Sequence, residues 1–247
     1  MPQVKPKVTL LTYTANPEQT IAMSAKLCYS DATIEDLKAG VESGDVSKFL
    51  SRLTGFGHMS PFEHASFTFG IEGVSRAFLA QVTRHRIASF SVKSQRYVAA
   101  NKSGEFNYIV PPAIEALGEE YVEKYKSQMT RMHAWYGEWQ TLLGGAKESS
   151  NEDARFVLPN AAETKMTLTM NARELLHFLA LRCCNRAQWE IREVAWQMLS
   201  LLIEVAPNLF CNAGPACVKG ACSEGKMTCG RAAEVRARRA ALDKEKE

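Results

Sequence analysis

Two short stretches of strict alternation do most to limit what this chain can become. In residues 65–72, Phe67, Phe69 and Ile71 point one way and Ser66, Thr68 and Glu72 the other. Residues 164–170 repeat the pattern, with Met166, Leu168 and Met170 against Lys165, Thr167 and Thr169. Successive side chains on a strand face opposite sides, so each stretch reads as a half-buried strand. Each also leads into a helix start. Gly73 is expected to break the first strand, and Ser75 to cap a helix through Phe78, Leu79 and Val82. Asn171-Ala172-Arg173-Glu174 has the Asn-x-x-Glu form of a capping box. The helix behind it carries Leu175, Leu176, Phe178, Leu179 and Leu181 as its core side.

The remaining segments are mostly helical in pattern. Residues 8–13 read as a first strand. Asn16-Pro17-Glu18 starts a helix to about Cys28, with Asn at the cap and Pro at the first helical position. Thr33 and Asp36 resemble a capping box for a short helix to about Ala39, and Gly44-Asp45 opens another with Val46, Phe49, Leu50 and Leu53. After a turn-rich connection at 101–112, one long helix is expected over 113–143. Its apolar stripe is Tyr121, Val122, Tyr125, Met129, Met132, Trp135 and Trp139, and Gly144-Gly145 ends it. Residues 147–151 are polar and expected to be exposed. A further amphipathic helix spans 188–205 and closes at Pro207, and the charged segment 231–247 is helix-prone and expected to fray.

Chemistry concentrates in residues 81–97. Arg84, His85 and Arg86 are followed by Ser89, Ser91, Ser94 and Arg96. Guanidinium forks mixed with hydroxyls suit an anion with many acceptor oxygens, and the interleaved Ile87, Phe90, Val92 and Tyr97 indicate a packed segment. If the helix from Ser75 continues, Gln81, Arg84 and His85 share one face, and part of the cluster could cap its C-terminus. Arg173 with His177, and Arg182 with Arg186, are further four-residue steps. His58, Glu63 and His64 lie within seven residues, but Pro61 falls between the histidines and the spacing is not that of a helical zinc site. A ligand-binding loop and a plain surface turn both stay open there.

Several classes are disfavoured. No apolar run approaches the roughly 20 residues of a membrane span, and no signal core follows the first charges, so a cytosolic protein is expected. Seven cysteines, two of them vicinal at Cys183-Cys184, suit reduced thiols. Cys211, Cys217, Cys222 and Cys229 are spaced too widely for a usual zinc site. A net charge of +3 does not by itself point to nucleic acid. A module holding phosphates and stacking bases and a plain helical scaffold remain the alternatives to an enzyme.

Arg84-His85-Arg86-Ile87-Ala88-Ser89-Phe90-Ser91-Val92-Lys93-Ser94-Gln95-Arg96 closely resembles the signature of flavin-dependent thymidylate synthases. That signature reads Arg-His-Arg, two residues, Ser, one residue, Asn, two residues, Ser, one residue, Arg. The chain departs from it once, with Ser91 in place of Asn. His58 through Glu63-His64, Gln81, Arg155-x-x-Leu158-Pro159, Asn171-Ala172-Arg173 and Gln188-Trp189-Glu190 follow in the family's order, so that the resemblance spans residues 8–207. It implies an α+β fold with mixed helices and antiparallel sheet: one synthase domain at 1–209 and a cysteine-containing, charged extension at 210–247. It implies a homotetramer with sites at subunit interfaces; a cytoplasmic location and no nucleic acid, membrane or metal ligand are expected, and metal binding by Cys211, Cys217, Cys222 and Cys229 stays open.

The implied reaction is reductive methylation of dUMP to dTMP. Methylenetetrahydrofolate is the carbon donor, NADPH the reductant and FAD the hydride carrier, and no enzyme nucleophile takes part. By the same resemblance Ser60, Arg84, His85, Arg86, Val92, Asn171, Arg173 and His177 contact FAD, with Glu63 and Arg186 facing the flavin. Gln81, Arg84, Ser94, Gln95, Arg96, Arg155 and Arg182 hold dUMP, and Arg182 is the catalytic residue at the pyrimidine. Ser94 has no base evident beside it and reads as a hydrogen-bond donor rather than a nucleophile.

Overall fold

The computed structural model describes residues 3–100 and 106–244, so the expected connection at 101–112 falls partly outside them. Strand β1 (Lys7–Tyr13) leads to helices α1 (Pro17–Leu27), α2 (Ile34–Glu42) and α3 (Ser47–Gly55). A 3-10 turn at Ser60–His64 enters β2 (Ser66–Ser75), α4 (Arg76–Val82) and β3 (Ala88–Val92). Then come α5 (Pro112–Glu115), α6 (Glu119–Leu142), α7 (Glu148–Ala154) and β4 (Glu163–Asn171). The chain closes with α8 (Ala172–Arg182), α9 (Trp189–Val205), α10 (Pro207–Phe210) and α11 (Ala232–Lys244). The strands form one antiparallel sheet in the order β1-β2-β4-β3, which with the helices makes an α+β fold. No helix among the described residues is long and apolar enough to cross a membrane. By contact density the chain divides into two units.

The first unit takes the chain start through Lys7, Ile71–Arg84 and Phe90–Thr167. Its core is Phe106, Tyr108, Val110, Met129 and Ala162. Gly73 does not break β2 as expected; the strand runs through it to Ser75. A Cβ there would lie 2.1 Å from the Lys5 carbonyl oxygen, and the residue sits at φ 68°, so only glycine fits. Ser75 caps α4 as expected, its Oγ accepting from Phe78 N at 3.0 Å. The helix then ends at Val82, which leaves Arg84 beyond it rather than on its face. The long helix expected over 113–143 is two helices, broken where Gly118 adopts φ 108°. Of its stripe, Val122 and Met129 are buried, whereas Tyr121, Trp135 and Trp139 are exposed. Residues 147–151 are not exposed throughout, because Ser150 and Asn151 are buried. Asn151 accepts from Tyr136 Oη at 3.3 Å and donates through Nδ2 to the Arg96 carbonyl at 2.9 Å. A buried amide needs such partners, which ties α7 to the segment carrying Arg96.

The second unit comprises Val8–Gly70, His85–Ser89 and Leu168–Glu247. Phe67 and Phe69 point into it from β2, as the alternation requires, and the Phe67 ring packs edge-on to Phe210 at 5.6 Å. Helix α9 is buried along Ile191, Val194, Ala195, Met198, Leu199 and Leu202, and Gln188 caps it by accepting from Glu190 N and Ile191 N. Thr33 caps α2, which runs beyond Ala39 to Glu42. Asn16 makes no side-chain cap and takes a left-handed conformation instead, leaving Pro17 to set the first turn of α1. Leu181 is exposed, not on the core side of α8. The described part of the tail helix, Ala232–Lys244, is docked rather than frayed. Val235 and Arg239 of α11 are buried, and Arg239 Nη2 donates to the Cys211 carbonyl at 2.7 Å. Arg236 Nε donates to the Cys217 carbonyl at 2.8 Å, and the Arg238 guanidinium lies 4.9 Å from the Trp196 ring centroid.

Candidate active site

In the second unit the local sequence builds a chain of three polar groups. Asn171 caps α8 by accepting from Glu174 N at 2.9 Å. Helical spacing then lines Glu174, Phe178 and Arg182 along one side of α8 in steps of four. All three meet His85. Its Nδ1 lies 2.8 Å from Glu174 Oε1, its Nε2 accepts from Arg182 Nε at 3.1 Å, and its ring meets Phe178 edge-on with centroids 4.9 Å apart. His85 is 5% exposed and Glu174 8%. Burial pushes the imidazole below the ordinary histidine value; the Glu174 hydrogen bond raises it, and the Arg182 charge lowers it again. Since Nε2 accepts, the ring is neutral and its proton sits on Nδ1, donated to the Glu174 carboxylate.

Glu174 was not among the residues singled out from the sequence, because Asn-x-x-Glu reads as a capping box. Half of that box is present. The other half, the glutamate reaching back to the cap, gives way to His85. The usable signal was the four-residue ladder through Phe178 to Arg182.

Other second-unit residues lie at or near this group. His177 is exposed, its ring 6.0 Å from that of His85. Arg173 donates to Glu63 Oε1 at 2.6 Å in an exposed pair. Arg186 lies past the end of α8, off the face expected for it with Arg182, and pairs with Glu224. Asn171 caps α8 through Oδ1, Ser60 opens the 3-10 turn, and Arg86 is exposed with no ion pair among the described residues.

The first unit carries Gln81, Arg84, Val92, Ser94, Gln95, Arg96 and Arg155. Arg84 is exposed and makes no ion pair among the described residues. Ser94 Oγ accepts from Arg96 N at 3.2 Å, which leaves its O–H free to donate outward. Arg96 Nε donates to Glu148 at 2.8 Å and lies 3.3 Å from Glu152. Exposed pairs of this kind are worth little, so an anion can replace them. Gln95 lines a cavity of about 280 Å³ with Lys93, Asn107, Glu163 and Thr164. The Arg155 Nε donates to the Glu152 carbonyl at 3.0 Å. Arg76, which sequence reading missed, has its guanidinium held below the ordinary value by burial and then by the charge of Arg155.

Among the described residues, one group of three His, Cys, Asp or Glu side chains converges: His85, Glu174 and His177, with ligand atoms within 4.8 Å of one another. The Arg182 guanidinium on His85 Nε2 makes it a poor cation site. The seven cysteines are free thiols, and those of the tail form no such group.

Residues 9–208 match the family model described as thymidylate synthase complementing protein. The chain is 50% identical over 230 residues to a flavin-dependent thymidylate synthase of Geobacter sulfurreducens, covering 93% of this chain and 96% of that one. It is 48% identical over 241 residues to one from Clostridium tetani, covering 93% and 95%. It is 42% identical over 227 residues to one from Pyrococcus abyssi, covering 90% and 91%.

Proposed function

The chain belongs to the flavin-dependent thymidylate synthase family, and from that premise we propose how its residues divide the work of making dTMP. The enzyme methylates dUMP with methylenetetrahydrofolate as carbon donor and FAD as redox cofactor. NADPH is the reductant, and the working assembly is a cytoplasmic homotetramer with sites at subunit interfaces. The synthase domain is residues 1–209, with 210–247 as an extension.

The donor set suits FAD, an anionic cofactor rich in acceptors. Arg84 and Arg86 are exposed and form no ion pair among the described residues. Ser60, Arg84, His85, Arg86, Val92, Asn171, Arg173 and His177 hold it, with Glu63 and Arg186 beside the flavin. When bound, FAD supplies the hydride chemistry that completes the methyl group. Gln81, Arg84, Ser94, Gln95, Arg96 and Arg155 hold dUMP. Arg182 faces the pyrimidine and stabilises the negative charge that develops on it, the differential binding that catalysis needs.

The observation that carries this reading is coverage. The family match at 9–208 contains every residue it uses, from Ser60 to Arg186. The test is the visible spectrum of the purified chain before and after adding FAD, followed by NADPH oxidation with and without dUMP. Flavin absorption and dUMP-dependent oxidation are expected. Failure to bind FAD together with no dUMP-dependent oxidation overturns the reading.

A further inference from the structure

We propose that Glu174 is a positioning residue for Arg182, acting through the tautomer of His85. The proposal rests on the reading that Arg182 faces the pyrimidine. Glu174 acts on Arg182 through the imidazole that lies between them.

A neutral imidazole carries one proton, and the partner of one nitrogen decides the state of the other. Glu174 Oε1 at 2.8 Å from Nδ1 takes the proton there as a hydrogen bond. Nε2 is then bare and accepts from Arg182 Nε at 3.1 Å. The opposite tautomer would aim N–H at N–H and repel the arginine. A carboxylate cannot donate, so it accepts one tautomer only. Water has little access to blur the choice, since both side chains are more than nine-tenths buried.

The consequence for Arg182 is orientation. A guanidinium is planar, so an N–H fixed at Nε also fixes the plane in which its Nη groups lie. Donors that stabilise developing charge work best when they are already aimed. Phe178, one helical turn from each of Glu174 and Arg182, holds the imidazole edge-on and limits its tilt. The three-group chain is built entirely from α8 and the segment carrying His85.

Glu174→Gln tests this with least disturbance. Glutamine keeps the size but loses the charge and can donate as well as accept, so Nδ1 no longer dictates the tautomer and the Arg182 donor alone favours a bare Nε2. The expected result is a kcat for dTMP formation about 10- to 100-fold lower, the scale of one charged hydrogen bond, with KM for dUMP and flavin content unchanged. A kcat equal to that of the parent overturns the proposal. Nitrogen-15 NMR of the parent protein, labelled at histidine, gives a second readout that needs neither activity nor a variant. It should show His85 protonated on Nδ1 alone at neutral pH; a proton on Nε2 overturns the proposal. A parent chain that makes no dTMP, yet shows the Nδ1 tautomer, defeats the functional reading instead.

Discussion

Two of the losses in Arg182→Ala bear on dTMP formation, and they read out differently. The first is a donor to His85 Nε2, in a ring that is 5% exposed. A buried acceptor left without its donor costs about 1–3 kcal/mol. Domains have about 5–15 kcal/mol in hand, so the variant folds. At this chain size each kcal/mol lowers the melting temperature by about 2–4 °C. The second, on the role proposed for Arg182, is the donor at the charge developing on the pyrimidine. Removing one such donor costs about 10²–10³ in kcat. The assay is chromatographic measurement of dTMP at saturating dUMP, beside a thermal melt and the flavin absorbance per chain. A small melting shift, retained flavin and a hundred-fold or greater loss of kcat (about 10²–10³) are expected. Parent-like turnover in the folded, flavin-loaded variant refutes the role assigned to Arg182.

Three more outcomes are expected. Gly73→Ala should destabilise severely, because a Cβ would meet the Lys5 carbonyl oxygen at 2.1 Å and backbone must move; thermal melting of the purified variant checks this. Arg239→Ala should lower stability by about 1.5–3 kcal/mol, the range for a hydrogen bond made by a charged group, as read by denaturant unfolding, and leave dTMP formation intact. Stability should fall as pH drops below about 6.5, the ordinary histidine value. His85 is held below that value when folded, so the unfolded chain binds more protons in that window and stability is lost on acidification. Comparing unfolding curves of the parent and His85→Gln at several pH values isolates this contribution, which is full above the window.

The parts of the fold legible in the sequence are those set by neighbours in the chain. The alternation through Phe67 and Phe69 and through Met166, Leu168 and Met170 gave two strands, and Thr33, Ser75 and Asn171 gave three caps. What could not be read depended on distant partners. Gly73 looks like a strand breaker until Lys5 is seen against it. Asn151 sits in a polar run, and only Tyr136 and the Arg96 carbonyl explain its burial. The apolar stripe read for residues 113–143 starts only at Tyr121, so it says nothing of the chain before Gly118, and the break there went unread. In the site, the Arg84-to-Arg96 signature was visible as a local motif. The Glu174–His85 contact joins residues 89 positions apart, and no local pattern announces it. The tail looked frayed because its charges were counted as solvated, whereas Arg236 and Arg239 donate to carbonyls of the cysteine-bearing loop.

The central claim is that this chain moves a one-carbon unit onto dUMP with the help of a flavin. Methylenetetrahydrofolate labelled with carbon-13 at the methylene tests it directly, with the nucleotide product analysed by mass spectrometry. The expected product is dTMP carrying the label in its methyl group, formed only when FAD, dUMP and NADPH are all present. Unlabelled dTMP, or none at all from a folded chain with flavin bound, would contradict it.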